Sequence, residues 1–223
     1  MISSTSTGRK MMEMFHLLLD HFGHQGWWPG ETRLEILIGA MLTQNTNWAN
    51  VEKAIKNLKE REEISLERLY SLKQEELAQA IRPAGYFNVK ARRLRNLIHF
   101  IMERYHGNLS ECLAEEPDLL RKGLLSVNGI GPETADTILL YAAGHPIFVV
   151  DAYTHRILSR HNMIEEDASY EALQSLFMEH LPDDPVLFNE FHALIVRTGK
   201  ETCHKKPLCD SCPLLEWGTL SRH

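Results

Sequence analysis

Apolar residues recur at three- and four-residue spacing along almost the whole chain, the mark of amphipathic helices packed on one another. The pattern runs through RKMMEMFHLLLDHFG (9–23), LEILIGAMLTQ (34–44), WANVEKAIKNLKE (48–60), LERLYSL (66–72), ELAQAIR (76–82) and VKARRLRNLIHFIMERY (89–105). It continues in PDLLRKGLL (117–125), PETADTILLYAA (132–143), AYTHRILSRH (152–161), YEALQSLFMEHL (170–181) and PVLFNEFHALIVRTGK (185–200). Only IFVV (147–150) reads as extended, and so short a run cannot build a sheet. The pattern predicts an all-α fold. Turn residues punctuate it at GWWPGE (26–31), RPAGYFN (82–88), NGIGP (128–132), GHP (144–146), LPDDP (181–185) and the tail after Gly199. No segment repeats at a fixed period.

Composition changes this picture little. A chain of 223 residues that is 43% hydrophobic can bury one large core or two small ones. No apolar run reaches membrane-spanning length, and the first residues lack a signal peptide's apolar block, so the expected location is the cytoplasm, at the nucleoid. Four cysteines, three crowded at 203–212, do not resemble a secreted disulfide framework. A net charge of −6 argues against a general nucleic-acid coat but leaves room for local basic faces. Two candidates are Lys90, Arg92, Arg93 and Arg95, and Arg197, Lys200, Lys205 and Lys206. Each is equally readable as a solvated surface.

The most informative stretch is Leu124–Arg156, LLSVNGIGPETADTILLYAAGHPIFVVDAYTHR. It reads as a helix, a tight Gly-rich turn, a second helix and an extended segment ending on Asp151. Gly129 and Gly131 permit a sharp turn and a close approach to a ligand. Pro132 stands where the next helix begins, and the free N–H groups at such a start suit a phosphate. This stretch resembles the helix–hairpin–helix, with its following Gly/Pro-rich loop and aspartate, of the endonuclease III superfamily of DNA glycosylases. The resemblance spans Trp27 to Cys212. It implies one helical domain over 31–145, containing the hairpin element at 124–143. A second, discontinuous domain would join 1–30 to 146–223 and carry the Cys-rich loop (203–212).

By that resemblance Asp151 is the catalytic carboxylate. Breaking an N-glycosidic bond builds positive charge on the sugar, which a nearby carboxylate stabilises, and the same group can orient the attacking water. Asp151 also fits a plain N-cap for the helix starting at Ala152. Members that form a Schiff base carry a lysine in a G-x-G-x-K-T-A context, where this chain reads Gly129-Ile130-Gly131-Pro132-Glu133-Thr134-Ala135. Glutamate cannot be an amine nucleophile, although a lysine elsewhere, such as Lys200 or Lys206, could serve. At Glu133 the helix dipole also favours an acid.

WWPGETRLEILIGAMLTQNTNW is more similar to a 3-methyladenine DNA glycosylase subgroup than to endonuclease III proper. The likeness places Trp27, Trp28, Pro29 and Trp48 in the base pocket, where indole faces suit a cationic alkylpurine. Core packing is the competing role for these tryptophans. Gln44 would enter the duplex and fill the space of the flipped base, with Asn45 beside it, or the two simply cap a helix end. Gly129, Ile130, Gly131 and Thr134 would grip the phosphate backbone, and the element also accommodates a monovalent cation on its carbonyls.

The tail, Cys203-His-Lys-Lys-Pro-Leu-Cys209-Asp-Ser-Cys212, resembles the superfamily's iron–sulfur loop, but Gly218 occupies roughly the fourth place. Three readings stay open. These are an incomplete [4Fe–4S] set on Cys203, Cys209 and Cys212, a loop without metal, or zinc with His204 or His223. The expectation is therefore a monomeric, monofunctional base-excision-repair glycosylase acting on alkylated purines in double-stranded DNA. Its rivals are a bifunctional glycosylase and abasic-site lyase acting on oxidised pyrimidines, and a catalytically silent DNA-binding module.

Overall fold

The structure, a computed structural model, describes residues 5–62 and 64–218. Its helices begin with α1 (Ser6–Phe22), α2 (Arg33–Leu42), α3 (Trp48–Glu60), α4 (Leu66–Ser71), α5 (Gln74–Ala80) and α6 (Phe87–Tyr105). They continue with α7 (Leu109–Leu113), α8 (Pro117–Leu125), α9 (Pro132–Thr137), α10 (Ala152–Arg160), α11 (Tyr170–His180) and α12 (Pro185–Glu201). No strand occurs among the described residues. The chain divides into two compact units, one formed by Trp28–His145 and the other by the described residues before Trp28 and after His145.

In the Trp28–His145 unit, α2 is apolar nearly all round and buries Leu37, Ile38, Ala40, Met41 and Leu42. It is the core helix, against which α3 and α6 pack. Amphipathic α3 turns Val51, Ala54, Ile55 and Leu58 inward, at three- and four-residue steps. Side-chain caps set the starts of both: Thr32 accepts from the Glu35 N–H, and Asn47 from the Asn50 N–H. The long α6 packs on α4, α5 and α7. Helix α9 ends at Thr137, and the chain then widens into a π-helix over Ile138–Ala143. The sequence pattern shows one continuous helix there, because periodicity barely distinguishes the two windings.

The other unit packs α1, through Met11, Met14, Phe15 and Leu18, on α12, which also receives α10. IFVV is extended but pairs with no strand among the described residues. It delivers Phe148 to an aromatic core, stacked on Phe177 at 3.6 Å between ring centres and edge-on to Phe188 and Phe191. Helix α12 passes through Gly199 to Glu201 instead of breaking there; the glycine is needed because it lies against the Tyr153 ring, where a Cβ would come within 2.2 Å. Two arginines of α10 then tie down the tail. Arg156 donates to the Gly199 and Cys203 carbonyls, and Arg160 to those of His204 and Lys205.

Candidate active site and hairpin turn

Asp151 begins α10, and its Oδ1 accepts from the Thr154 N–H (2.8 Å) and hydroxyl (2.9 Å). The capping role is thus real. The other oxygen, Oδ2, lies 3.6 Å from Nε2 of His192 on α12, with both side chains nearly buried. Burial alone would push the Asp151 pKa up, but His192 and the two Thr154 donors outweigh it and hold the carboxyl below its usual 3.8. The site therefore keeps a desolvated carboxylate charged, which is what stabilising a sugar cation requires. His192 carries no sequence signal, since only folding brings α12 to the start of α10.

In the Trp28–His145 unit, Trp28 meets Trp48 edge-on at 5.2 Å between ring centres and at an interplanar angle of 88°, with Tyr141 tilted at 5.2 Å on another side. Gly39 makes this possible, because an added Cβ would sit 3.0 Å from the indole. Trp48 donates through Nε1 to Glu52 (2.8 Å), which sets its ring plane. Tyr141 comes from the π-helix, a winding often found at functional sites. Its place in the cluster has no signal in the sequence, where it reads as one more helix position. Trp27, which closes the first segment of the other unit, is half-buried, and Pro29 is exposed.

The hairpin turn has Gly129 at φ +99°, where Arg93 of α6 lies so close that a Cβ would come within 2.3 Å of it. Gly131, by contrast, is at φ −100°, and a Cβ there would meet no atom within 4 Å. Ile130 is buried and gives its N–H to the Val127 carbonyl. Gln44, two residues beyond α2, folds onto this turn. Its amide donates to Thr134 Oγ1 (2.9 Å) and reaches the Gly129 carbonyl (3.5 Å), while Arg93 donates to its Oε1. Asn45 is exposed in the left-handed region at φ +52°. Glu133 is exposed in the first turn of α9.

The first predicted basic face does not exist as one surface. Lys90 is buried, Arg93 serves Gln44, and Arg95 donates to the Leu72 carbonyl, leaving Arg92 exposed. The cause is helical spacing, which points neighbours in sequence in different directions. In the second set, Arg197 is engaged with Glu201, Phe22 and Gln25, while Lys200, Lys205 and Lys206 are exposed. Tyr86, directly after Gly85, is 76% exposed, sits at φ +46° and precedes α6 as its N-cap.

Cys203, Cys209 and Cys212 line one small cavity with Arg160, His161 and Thr202. Their chemistry does not fit a four-thiolate cluster. Gly218 offers no donor side chain, and Cys112 belongs to the other unit, its thiol pushed up to about 12 chiefly by burial. Cys203 Sγ instead accepts from Arg160 (3.1 Å), and Cys212 Sγ from Thr202 (3.6 Å). Among the described residues no three His, Cys, Asp or Glu side chains are grouped to hold a metal. His204 is exposed, and His223 lies outside the described residues.

These elements define a helix–hairpin–helix glycosylase. The family described as HhH-GPD superfamily base excision DNA repair protein matches residues 38–183, well over half of the chain, and the chain belongs to it. It is a DNA glycosylase of base excision repair, similar to endonuclease III proteins. It is 48% identical over 207 residues to a protein of Methanocaldococcus jannaschii whose name proposes a DNA repair glycosylase, covering 92% of this chain and 94% of that one. It is 31% identical over 181 residues to endonuclease III of Thermotoga maritima, covering 79% and 78%. Among solved structures it is similar to an H. pylori 3-methyladenine DNA glycosylase bound to 1,N6-ethenoadenine. That match has a TM-score of 0.75 and 30% identity, and covers 86% of this chain and 97% of the other.

Proposed function

We propose that this glycosylase is monofunctional and hydrolyses the N-glycosidic bond of alkylated purines, 3-methyladenine above all. The observation that carries the reading is the aromatic cluster of Trp28, Trp48 and Tyr141, which offers electron-rich faces to a cationic purine. An alkylated purine is already a good leaving group, so stacking and one carboxylate suffice. Asp151, charged and desolvated, stabilises the positive charge that develops on the sugar and orients water towards C1′. The exposed Glu133, standing where an amine would be needed, supports hydrolysis without a Schiff base. The H. pylori relative, which holds a purine derivative, supports the same substrate class.

In this reading the flipped base leaves a gap that Gln44 enters, with Tyr86 and Asn45 beside it. Gly129 and Gly131 in the turn, with Thr134 in the first turn of α9, meet the backbone, where contacts position the enzyme without reading sequence. The carbonyls of that turn are the place for a monovalent cation.

Methylated duplex DNA tests the proposal directly. Free methylpurine should appear, with strand breaks only after alkali, and borohydride should trap no covalent adduct. Breaks without alkali, or a trapped adduct, would overturn the monofunctional reading. Release of oxidised pyrimidines but not of alkylpurines would overturn the substrate class.

A further inference from the structure

Lys90 is 3% exposed, in the middle of a core that an apolar residue would fill at lower cost. Its three bonds go to neutral oxygens. Nζ donates to the Leu42 carbonyl (2.8 Å), to the Ala84 carbonyl (2.8 Å) and to Thr46 Oγ1. Thr46 in turn gives its proton to the Ala84 carbonyl (2.6 Å), closing a ring of bonds. Desolvation, with the Arg93 charge adding to it, brings the Lys90 pKa down to about 8. Holding an amine in such a place is worthwhile only if the oxygens it joins must be joined.

Those oxygens come from two separate stretches. Leu42 and Thr46 bracket the loop that carries Gln44 and Asn45. Ala84 ends a short 3₁₀ turn, Arg82–Ala84, which leads into Tyr86. Asn45 and Tyr86 both occupy left-handed backbone, a conformation that persists in non-glycine residues only when the surroundings hold it. One turn along α6, Arg93 then fixes the Gln44 side chain. Lys90 holds the backbone and Arg93 the amide.

We propose that Lys90 is a positioning residue for lesion engagement: it locks the Gln44 loop and the Tyr86 turn together, so that both enter the duplex as one preset unit. The proposal rests on the reading above, in which these loops meet DNA. It adds a buried group that touches neither DNA nor the reacting atoms.

The test compares Lys90→Met, Gln44→Ala and the double variant on a methylated duplex with 2-aminopurine beside the lesion. Single-turnover release should fall about 10- to 100-fold in Lys90→Met, the scale expected when reacting groups are misplaced by about an ångström. The 2-aminopurine signal of base unstacking should weaken in parallel, while affinity for undamaged duplex stays within about threefold, because phosphate contacts lie elsewhere. The double variant should be no slower than the slower single one, since both changes remove the same step. A folded Lys90→Met with unchanged unstacking and rate, or fully multiplying effects in the double variant, would overturn the proposal. If Gln44→Ala is itself silent while base release continues, the DNA-loop reading fails and the Lys90 role fails with it. Should Lys90→Met not fold, Thr46→Val removes one of the three bonds and should slow release in the same direction.

Discussion

At the scale of single residues, Asp151 carries two jobs that can be separated. Asparagine caps a helix about as well as aspartate, whereas alanine does not. Asp151→Asn should therefore keep the α10 cap, lose only the charge's share of stability, and lose about 100-fold or more in base release, as removing one preorganised electrostatic group does elsewhere. Asp151→Ala should lose about 1 kcal/mol of stability as well, which thermal melting would show. The depressed pKa also sets a pH pattern. The carboxylate's contribution is complete above the unfolded value of 3.8 and disappears as pH falls through the lower folded value. Stabilities of the wild type and Asp151→Asn should thus run parallel down to about pH 5 and converge below about pH 4. Convergence already at pH 6 would mean that the carboxyl is not held down. The cap at Asp151 was legible in the sequence, because an aspartate directly before a helical run is a local pattern. His192, Arg93 and Lys90 were not, since their roles depend on which helix faces meet.

At the scale of elements, the hairpin turn distinguishes two glycines that look alike in VNGIGP. Gly129 needs its positive φ and its missing Cβ, with Arg93 filling the space; Gly131 needs neither. Gly129→Ala should cost about 1–3 kcal/mol, through strain and displacement of Arg93. Gly131→Ala should stay within about 0.5 kcal/mol, as ordinary surface changes do. Denaturant melts of both variants check this. A comparable loss in Gly131→Ala would show that the turn is held differently. Helix positions were readable because the apolar period is strong throughout. Two features escaped it: the short α7, with too few residues to show a period, and the π-helix, whose register shift brings Tyr141 to Trp28. Such a shift follows from packing on α2, not from local composition.

At the scale of the molecule, the all-α architecture followed from the period, and no helix among the described residues is long and apolar enough to cross a membrane. Charge was harder to read. A net of −6 conceals exposed cations at Arg92, Lys200, Lys205 and Lys206. If these meet phosphates, affinity for a lesion duplex should fall with salt at a log–log slope of about −4, near 0.9 per neutralised phosphate. A titration between low and moderate salt measures it, and a slope near zero would remove them from the interface.

The unit that holds Asp151 is assembled from both sides of the chain, with Trp28–His145 inserted between α1 and α10. During synthesis the inserted unit has all its residues in hand while the other has only α1. That helix emerges with Met11, Met14, Phe15 and Leu18 uncovered, and α12, on which it packs, is synthesised only after the whole inserted unit. Until then the nascent protein exposes a greasy stripe whose natural cover is not yet made. Chaperones that recognise short apolar helices should find it there, and a message truncated before α12 should yield a product prone to aggregation.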